Sequence, residues 1–146
     1  MGTIAIACDH AGLPLKQELL EALESEGHTV INLGTDSPDS VDYPDYGHAM
    51  AAALADGQAE QGVLVCGSGI GISIAANRHD NVRAALVDGS LSAEMARKHN
   101  DANVICFGAR MIGPETAKHA MLTFLNTGFE GGRHQRRVEK LTKPDG

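Results

Sequence analysis

Tryptophan is absent from this 146-residue chain and aromatic residues make up only 3% of it, which removes the stacking platforms on which single-stranded nucleic acids are usually held. Basic charge is short as well. The net charge is −7 and the arginines gather mainly near the C-terminus, so the broad basic face of a duplex binder is missing and no nucleic-acid partner is expected. No apolar run approaches the roughly 20 residues that span a bilayer, and the N-terminus passes straight into Thr3-Ile4-Ala5-Ile6-Ala7 without a basic leader. The expectation is a cytoplasmic protein with no membrane partner. Cys8, Cys66 and Cys106 are odd in number and lack metal-site spacing, and each lies within or at the end of an apolar run, so reduced thiols and no metal site are expected. Repeats and low-complexity stretches are lacking too.

What is present is 42% hydrophobic residues and 17 glycines, enough for one domain spanning 1–146 with many tight turns. Apolar, β-branched runs alternate with helical patterns, each junction marked by Gly, Pro, Asp or Ser. Strands are expected at 3–8, 29–33, 62–66, 82–87 and 103–107, and helices at about 14–26, 44–59, 69–78, 90–99 and 114–126. Pro14, Pro44 and Pro114 are each placed to begin a helix. Runs such as Gly62-Val63-Leu64-Val65-Cys66 are apolar without alternation, as in a parallel sheet covered on both faces. The fold class that follows is α/β: a doubly wound, Rossmann-like three-layer sandwich around a five-stranded parallel sheet. A tail over 127–146 follows the last helix.

Ligands of such sheets sit beyond the carboxyl ends of the strands, near the point where strand order reverses. Those ends carry Asp9-His10, Gly34-Thr35-Asp36, the run Cys66-Gly67-Ser68-Gly69-Ile70-Gly71, Asp88, and Gly108-Ala109-Arg110. The glycine run is the strongest local signal, because glycines between a strand and a helix let backbone N–H groups close around an oxyanion or phosphate. A dinucleotide fingerprint is one alternative, and Asp88 lies about where its ribose-binding acid would be. The spacing argues against it, since Ile72 stands where the third glycine belongs.

Cys66 faces the same loop amides, which favour thiolate and could stabilise an enediolate oxygen formed when a proton leaves the carbon beside a carbonyl. By position alone it could equally be a small buried hydrophobe, as Cys8 and Cys106 are expected to be. Asp9 could serve the crevice or merely cap a helix. His99 and Asn100 end a helix, where an imidazolium and a terminating Asn are both at home. Arg133 and Arg137 stand four apart, sharing one face of a helical tail as a phosphate clamp or as solvated charges, and a glycine linker could deliver them to a neighbouring subunit.

Taken in order, Asp9-His10-Ala11-Gly12, Asp42-Tyr43-Pro44, the run from Cys66 to Asn77, His99-Asn100-Asp101, Phe107-Gly108-Ala109-Arg110 and Glu130-Gly131-Gly132-Arg133-His134 cover nearly the whole chain. Together they resemble the type B ribose-5-phosphate isomerases, a family that includes galactose-6-phosphate and allose-6-phosphate isomerases. The resemblance implies a cofactor-free aldose–ketose isomerase in which Cys66 moves a proton between C1 and C2 of ribose 5-phosphate and ribulose 5-phosphate through an enediolate. It also implies that His99 helps open the furanose ring and that Asp9, His10 and Tyr43 line the sugar site. The backbone of Gly67, Ser68, Gly69, Ile70 and Gly71, with Asn100, would hold the enediolate oxygens, and Ser68 would assist proton movement between them. Arg110, Arg133, His134 and Arg137 would hold the phosphate.

The same resemblance implies a homodimer whose sites are shared between subunits, with a helical tail reaching the neighbour; dimer or tetramer stays open. Two departures matter. Ser68 replaces the Thr of many members and keeps the hydroxyl, while Ile72 stands where the branch without a cysteine base carries Glu. Hexose 6-phosphates are the alternative substrates, and a nucleotide-binding regulatory module is the competing class.

Overall fold

Val63-Leu64-Val65 and Ile4-Ala5-Ile6-Ala7 have no polar face, so strands built from them have to be covered on both sides. In the computed structural model, which describes residues 2–144, they become the middle of one wholly parallel sheet. Its strands are β1 (Thr3–Cys8), β2 (Thr29–Asn32), β3 (Gln61–Cys66), β4 (Ala84–Leu86) and β5 (Val104–Gly108), in the order β2-β1-β3-β5-β4. Between and after them run α1 (Leu13–Ser25), α2 (Tyr43–Ala55), α3 (Ile70–Ala76), α4 (Ser90–Asn100), α5 (Pro114–Leu125) and α6 (Arg133–Thr142).

Successive strand residues point to opposite faces, and each face has its own helical cover. Ile6, Val63, Val65, Ile105 and Phe107 pack beneath α1, α4 and α5 through Leu19, Leu23, Ala93, Met121 and Phe124. Ala5, Ala7, Leu64, Cys66 and Cys106 pack beneath α2 and α3 through Met50, Ala51, Ile72 and Ala76. The expected three-layer sandwich is what forms. On the second face, small side chains set the spacing: a Cβ on Gly47 would lie 2.9 Å from the Ala75 Cβ, so only glycine lets α2 approach α3 this closely.

Pro14, Pro44 and Pro114 each fall in the first turn of a helix, where no intrahelical N–H is needed. Several boundaries differ from expectation. The fourth strand shortens from 82–87 to three residues because the Val82 N–H turns to His79 O and the Arg83 N–H to Asn103 Oδ1. The second helix stops at Ala55 instead of 59, at the Asp56-Gly57 turn. The third begins one residue late because Gly69 is left-handed, with φ 76°. Among the described residues no helix is long and apolar enough to cross a membrane.

Chain order places β2 on one side of β1 and β3 on the other, so strand order reverses between β1 and β3. The crevice of this sheet therefore opens at Cys8-Asp9 and Cys66-Gly67.

Candidate active site

At that crevice lies an open hollow of about 550 Å³, lined by Asp9, His10, Tyr43, Cys66, Ser68 and Arg110 among others. Its volume is in the range of small-molecule sites. Its floor is the turn that leaves β3. Cys66 is buried, with 4% of its surface exposed, and its Sγ accepts the Gly69 N–H at 3.1 Å. The Ile70 N–H goes to Ser68 Oγ at 3.2 Å. Among the described residues none accepts the N–H of Gly67, Ser68 or Gly71. Of the five amides expected to face an oxyanion, two are thus directed to the side chains of the turn itself and three remain free.

The β5–α5 turn is clipped to this floor by Ala109 N–H to Cys66 O at 2.8 Å and Arg110 N–H to Gly67 O at 3.0 Å. That registration lays the Arg110 guanidinium across Gly67, where a Cβ would come within 3.1 Å of Nη1. The Tyr43 ring lies against Gly71, so closely that a side chain there would collide with it. At the end of β1, Asp9 is buried and its Oδ1 accepts the Gly12 N–H at 3.1 Å, capping the short 3-10 turn His10–Gly12. Asp9 therefore caps and faces the hollow at once. His10 Nδ1 accepts the Val41 N–H at 3.1 Å, which leaves the proton of its neutral ring on Nε2.

Behind this wall Lys16 is fully buried, and its Nζ donates to Asn32 Oδ1 at 2.8 Å, Thr35 O at 2.6 Å and Asp36 Oδ1 at 2.9 Å. Hydrogen bonds from Lys16 and Asn32 hold the Asp36 carboxyl below the usual carboxylate range. Lys16 so pins a loop that pairs with Cys8 through Thr35 N–H to Cys8 O, one residue before Asp9. Cys8 and Cys106 behave as core thiols: burial pushes Cys8 up to about 11 and drives Cys106 further in the same direction.

His99, Asn100, Arg133, His134 and Arg137 form a second cluster elsewhere. The α4 helix leaves the carboxyl end of β4 and returns to the amino end of β5, so His99 and Asn100 stand at the amino ends of the strands. Arg83, just before β4, donates to Asn100 O at 3.2 Å and to Asp101 O at 2.9 Å. Cys66 stands at the opposite end, paired with Gly108. The length of β5 alone separates the two ends by about 13 Å. The tail folds back on its own chain: Glu130 N–H donates to Lys98 O at 3.2 Å, and α6 packs beside α4. There His134 is buried and stacks on His99, ring centroids 4.3 Å apart and planes 17° apart. Arg133 and Arg137 stand exposed on α6, the helical tail on which their spacing places them on one face.

Residues 4–141 match the family model described as Ribose/Galactose Isomerase. The chain belongs to that family. It is 46% identical over 142 residues to the ribose-5-phosphate isomerase B of Escherichia coli strain K12, covering 97% of this chain and 95% of that one. The Clostridium thermocellum ribose-5-phosphate isomerase B superposes with a TM-score of 0.96 at 43% identity, covering 98% of this chain and 97% of that chain. A D-erythrulose-4-phosphate isomerase of Pectobacterium atrosepticum is 42% identical, covering 97% of this chain and 93% of that one. The fold expected from the strand pattern is the fold of these isomerases.

Within this family member, the dinucleotide reading loses its footing: Asp88 accepts from Ser92 Oγ at 3.2 Å at the start of α4, and the Tyr43 ring occupies the approach to Gly71. His99, Glu130 and His134 bring three potential metal-ligand atoms within 4.8 Å of one another. An imidazole binds a metal in its own plane at about 2.0 Å, however, and two nearly parallel stacked planes share no such point. Lys16, Ile74, Met111 and Glu130 were missed as site-forming residues. Ile74 could have been found from its i, i+4 relation to the exposed Ile70 on α3; burial of Lys16 left no local signal.

Proposed function

We propose that the protein interconverts D-ribose 5-phosphate and D-ribulose 5-phosphate, as an intramolecular oxidoreductase with Cys66 as the carbon base. The observation that carries the reading is a sulfur at the floor of a sugar-sized hollow, beside three unclaimed N–H groups. Cys66 thiolate takes the proton from C2 of the open-chain aldose, and the electrons move onto the C1 carbonyl oxygen to give the enediolate. The same thiol returns the proton to C1 while the C2 oxygen becomes the ketone. Negative charge on the enediolate is met by the Gly67, Ser68 and Gly71 amides with Asn100, and Ser68 Oγ carries the proton between O1 and O2. Asp9, His10 and Tyr43 hold the sugar hydroxyls. His99 assists ring opening, and Arg110, Arg133, His134 and Arg137 hold the phosphate.

The reading includes a homodimer in which each site takes its Cys66 half from one chain and its His99–Arg137 half from the partner, the tail 127–146 making part of the contact. Two observations support it: the halves stand at opposite ends of one sheet, and Tyr43, Ile70, Ile74 and Met111 leave large apolar side chains exposed around the hollow. Residues 1–146 then form one isomerase domain that works in the cytoplasm, consistent with three free cysteines. The erythrulose-phosphate relative favours a second reading, in which a sugar phosphate of another chain length fits the same core.

The deciding experiment follows ribose 5-phosphate by proton NMR in buffer containing EDTA, with the wild type and Cys66→Ala. The wild type should convert it to ribulose 5-phosphate, and the variant should lose at least about a hundredfold in kcat while still binding substrate. A variant within tenfold of the wild type would remove Cys66 from the chemistry.

A further inference from the structure

Glu130 holds its carboxylate at the edge of the imidazole stack, with Oε1 3.5 Å from His134 Nε2 and 4.0 Å from His99 Nε2. Its position is built. The Glu130 backbone is tied to the last turn of α4 through Lys98 O, and Gly131 and Gly132, both with positive φ, turn the chain at once into α6 so that His134 lands on His99. Two imidazoles 4.3 Å apart cannot both carry charge without strong repulsion, and a carboxylate at their edge favours a single charged ring.

The geometry points to Glu130 as the positioning residue that holds the stacked His99 ring in place for furanose opening and stabilises the positive charge the ring carries in that step. This rests on the isomerase reading above. The groups facing the pair are Glu130 from the loop, Arg133 and Arg137 from α6, and each ring to the other. Burial, then His99 and Arg133, hold His134 below the ordinary imidazole value, against the pull of Glu130. In the step itself the imidazolium gives a proton to the ring oxygen as the C1–O bond breaks, the anomeric hydroxyl releases its proton to water, and its electrons form the C1 carbonyl. Glu130 touches no reacting atom; it stabilises the charged ring.

Ring opening can be separated from proton abstraction, because ribulose 5-phosphate has no free hydroxyl able to close a furanose. Exchange of its C1 proton in deuterium oxide needs Cys66 but no ring opening. With Glu130→Gln, conversion of ribose 5-phosphate should fall about tenfold or more, a share of what general acid catalysis supplies. Deuterium entry into ribulose 5-phosphate at saturation should stay within about twofold. Without the carboxylate the imidazolium gives up its proton more readily, so the limb on which kcat/KM falls with rising pH should move to lower pH. Glu130→Asp, which keeps the charge, should restore part of both effects. Equal losses in both reactions, or unchanged conversion and pH profile in Glu130→Gln beside an active wild type, would overturn the proposal alone. A wild type inert in both assays would overturn the isomerase reading and this proposal with it.

Discussion

Purified heterodimers carrying Cys66→Ala in one subunit and Arg137→Ala in the other should regain about half of wild-type activity. In a two-fold dimer with shared sites, one site of the heterodimer collects both lesions and the other collects neither. The premise is geometric: Cys66 ends β3, whereas α6 packs beside α4 at the far end of the sheet, so one chain does not bring the two residues to one sugar phosphate. Losing a charge-assisted hydrogen bond costs about 1.5–3 kcal/mol, or roughly ten- to more than a hundredfold in kcat/KM, so Arg137→Ala homodimers will be dim enough for recovery to show. Two affinity tags isolate the heterodimer, and the coupled assay is run well below KM, where loss of phosphate binding is fully expressed. A tandem-purified heterodimer no brighter than the average of its two parents would refute shared sites, and with them the argument from the opposite ends of the sheet.

Two further predictions concern what holds the Cys66 half in place. Lys16→Met should lower unfolding stability by about 3 kcal/mol in urea titrations, because a buried charged donor is lost and the Thr35 carbonyl keeps only the weak Cys8 thiol donor at 3.7 Å. Asp36→Asn should cost under about 1 kcal/mol, since that side chain is 68% exposed; comparable losses in the two variants would show the ion pair, not the carbonyl contact, to be the source. Gly71→Ala should destabilise by about 1–3 kcal/mol by overpacking against the Tyr43 ring, yet become neutral or stabilising by about 1 kcal/mol in a Tyr43→Ala background, where alanine's helix preference is all that remains. An unchanged penalty in the double variant would mean that the ring is not what excludes a side chain.

The layer structure was legible because a covered parallel strand leaves a particular trace: Gly62 to Cys66 has no polar alternation, and nothing but helices on both faces accounts for that. The proline-marked starts at Pro14, Pro44 and Pro114 were legible for an equally local reason. Boundaries set by distant partners were not. The Asn103 side chain takes the Arg83 N–H and so contributes to shortening β4, though 20 residues separate them. Lys16 is a similar case, reading as the polar face of α1 until Asn32, Thr35 and Asp36 arrive around it. In the glycine turn the presence of amides was readable, but their division was not. Whether an N–H points at a ligand depends on how the turn closes on itself: the N–H of the left-handed Gly69 turns back to Cys66 Sγ, and the next amide, of Ile70, goes to Ser68 Oγ.

The candidate site residues stand out in the sequence as types and as a family pattern, yet the pattern conceals that they fall into two groups. Asp9, Cys66 and Arg110 end or follow strands, and a parallel sheet brings every such position to one edge. His99 and Asn100 precede a strand, which sends them to the other edge, and the Gly128–Gly132 linker then carries the arginines to them rather than to Cys66. Connectivity alone dictates this division, because each helix of a parallel α/β fold must run back against the strands it joins. One folded copy therefore does not bring the whole candidate set together. The apolar rim of Tyr43, Ile70, Ile74 and Met111 around the Cys66 hollow is where a second copy has most to gain by closing it.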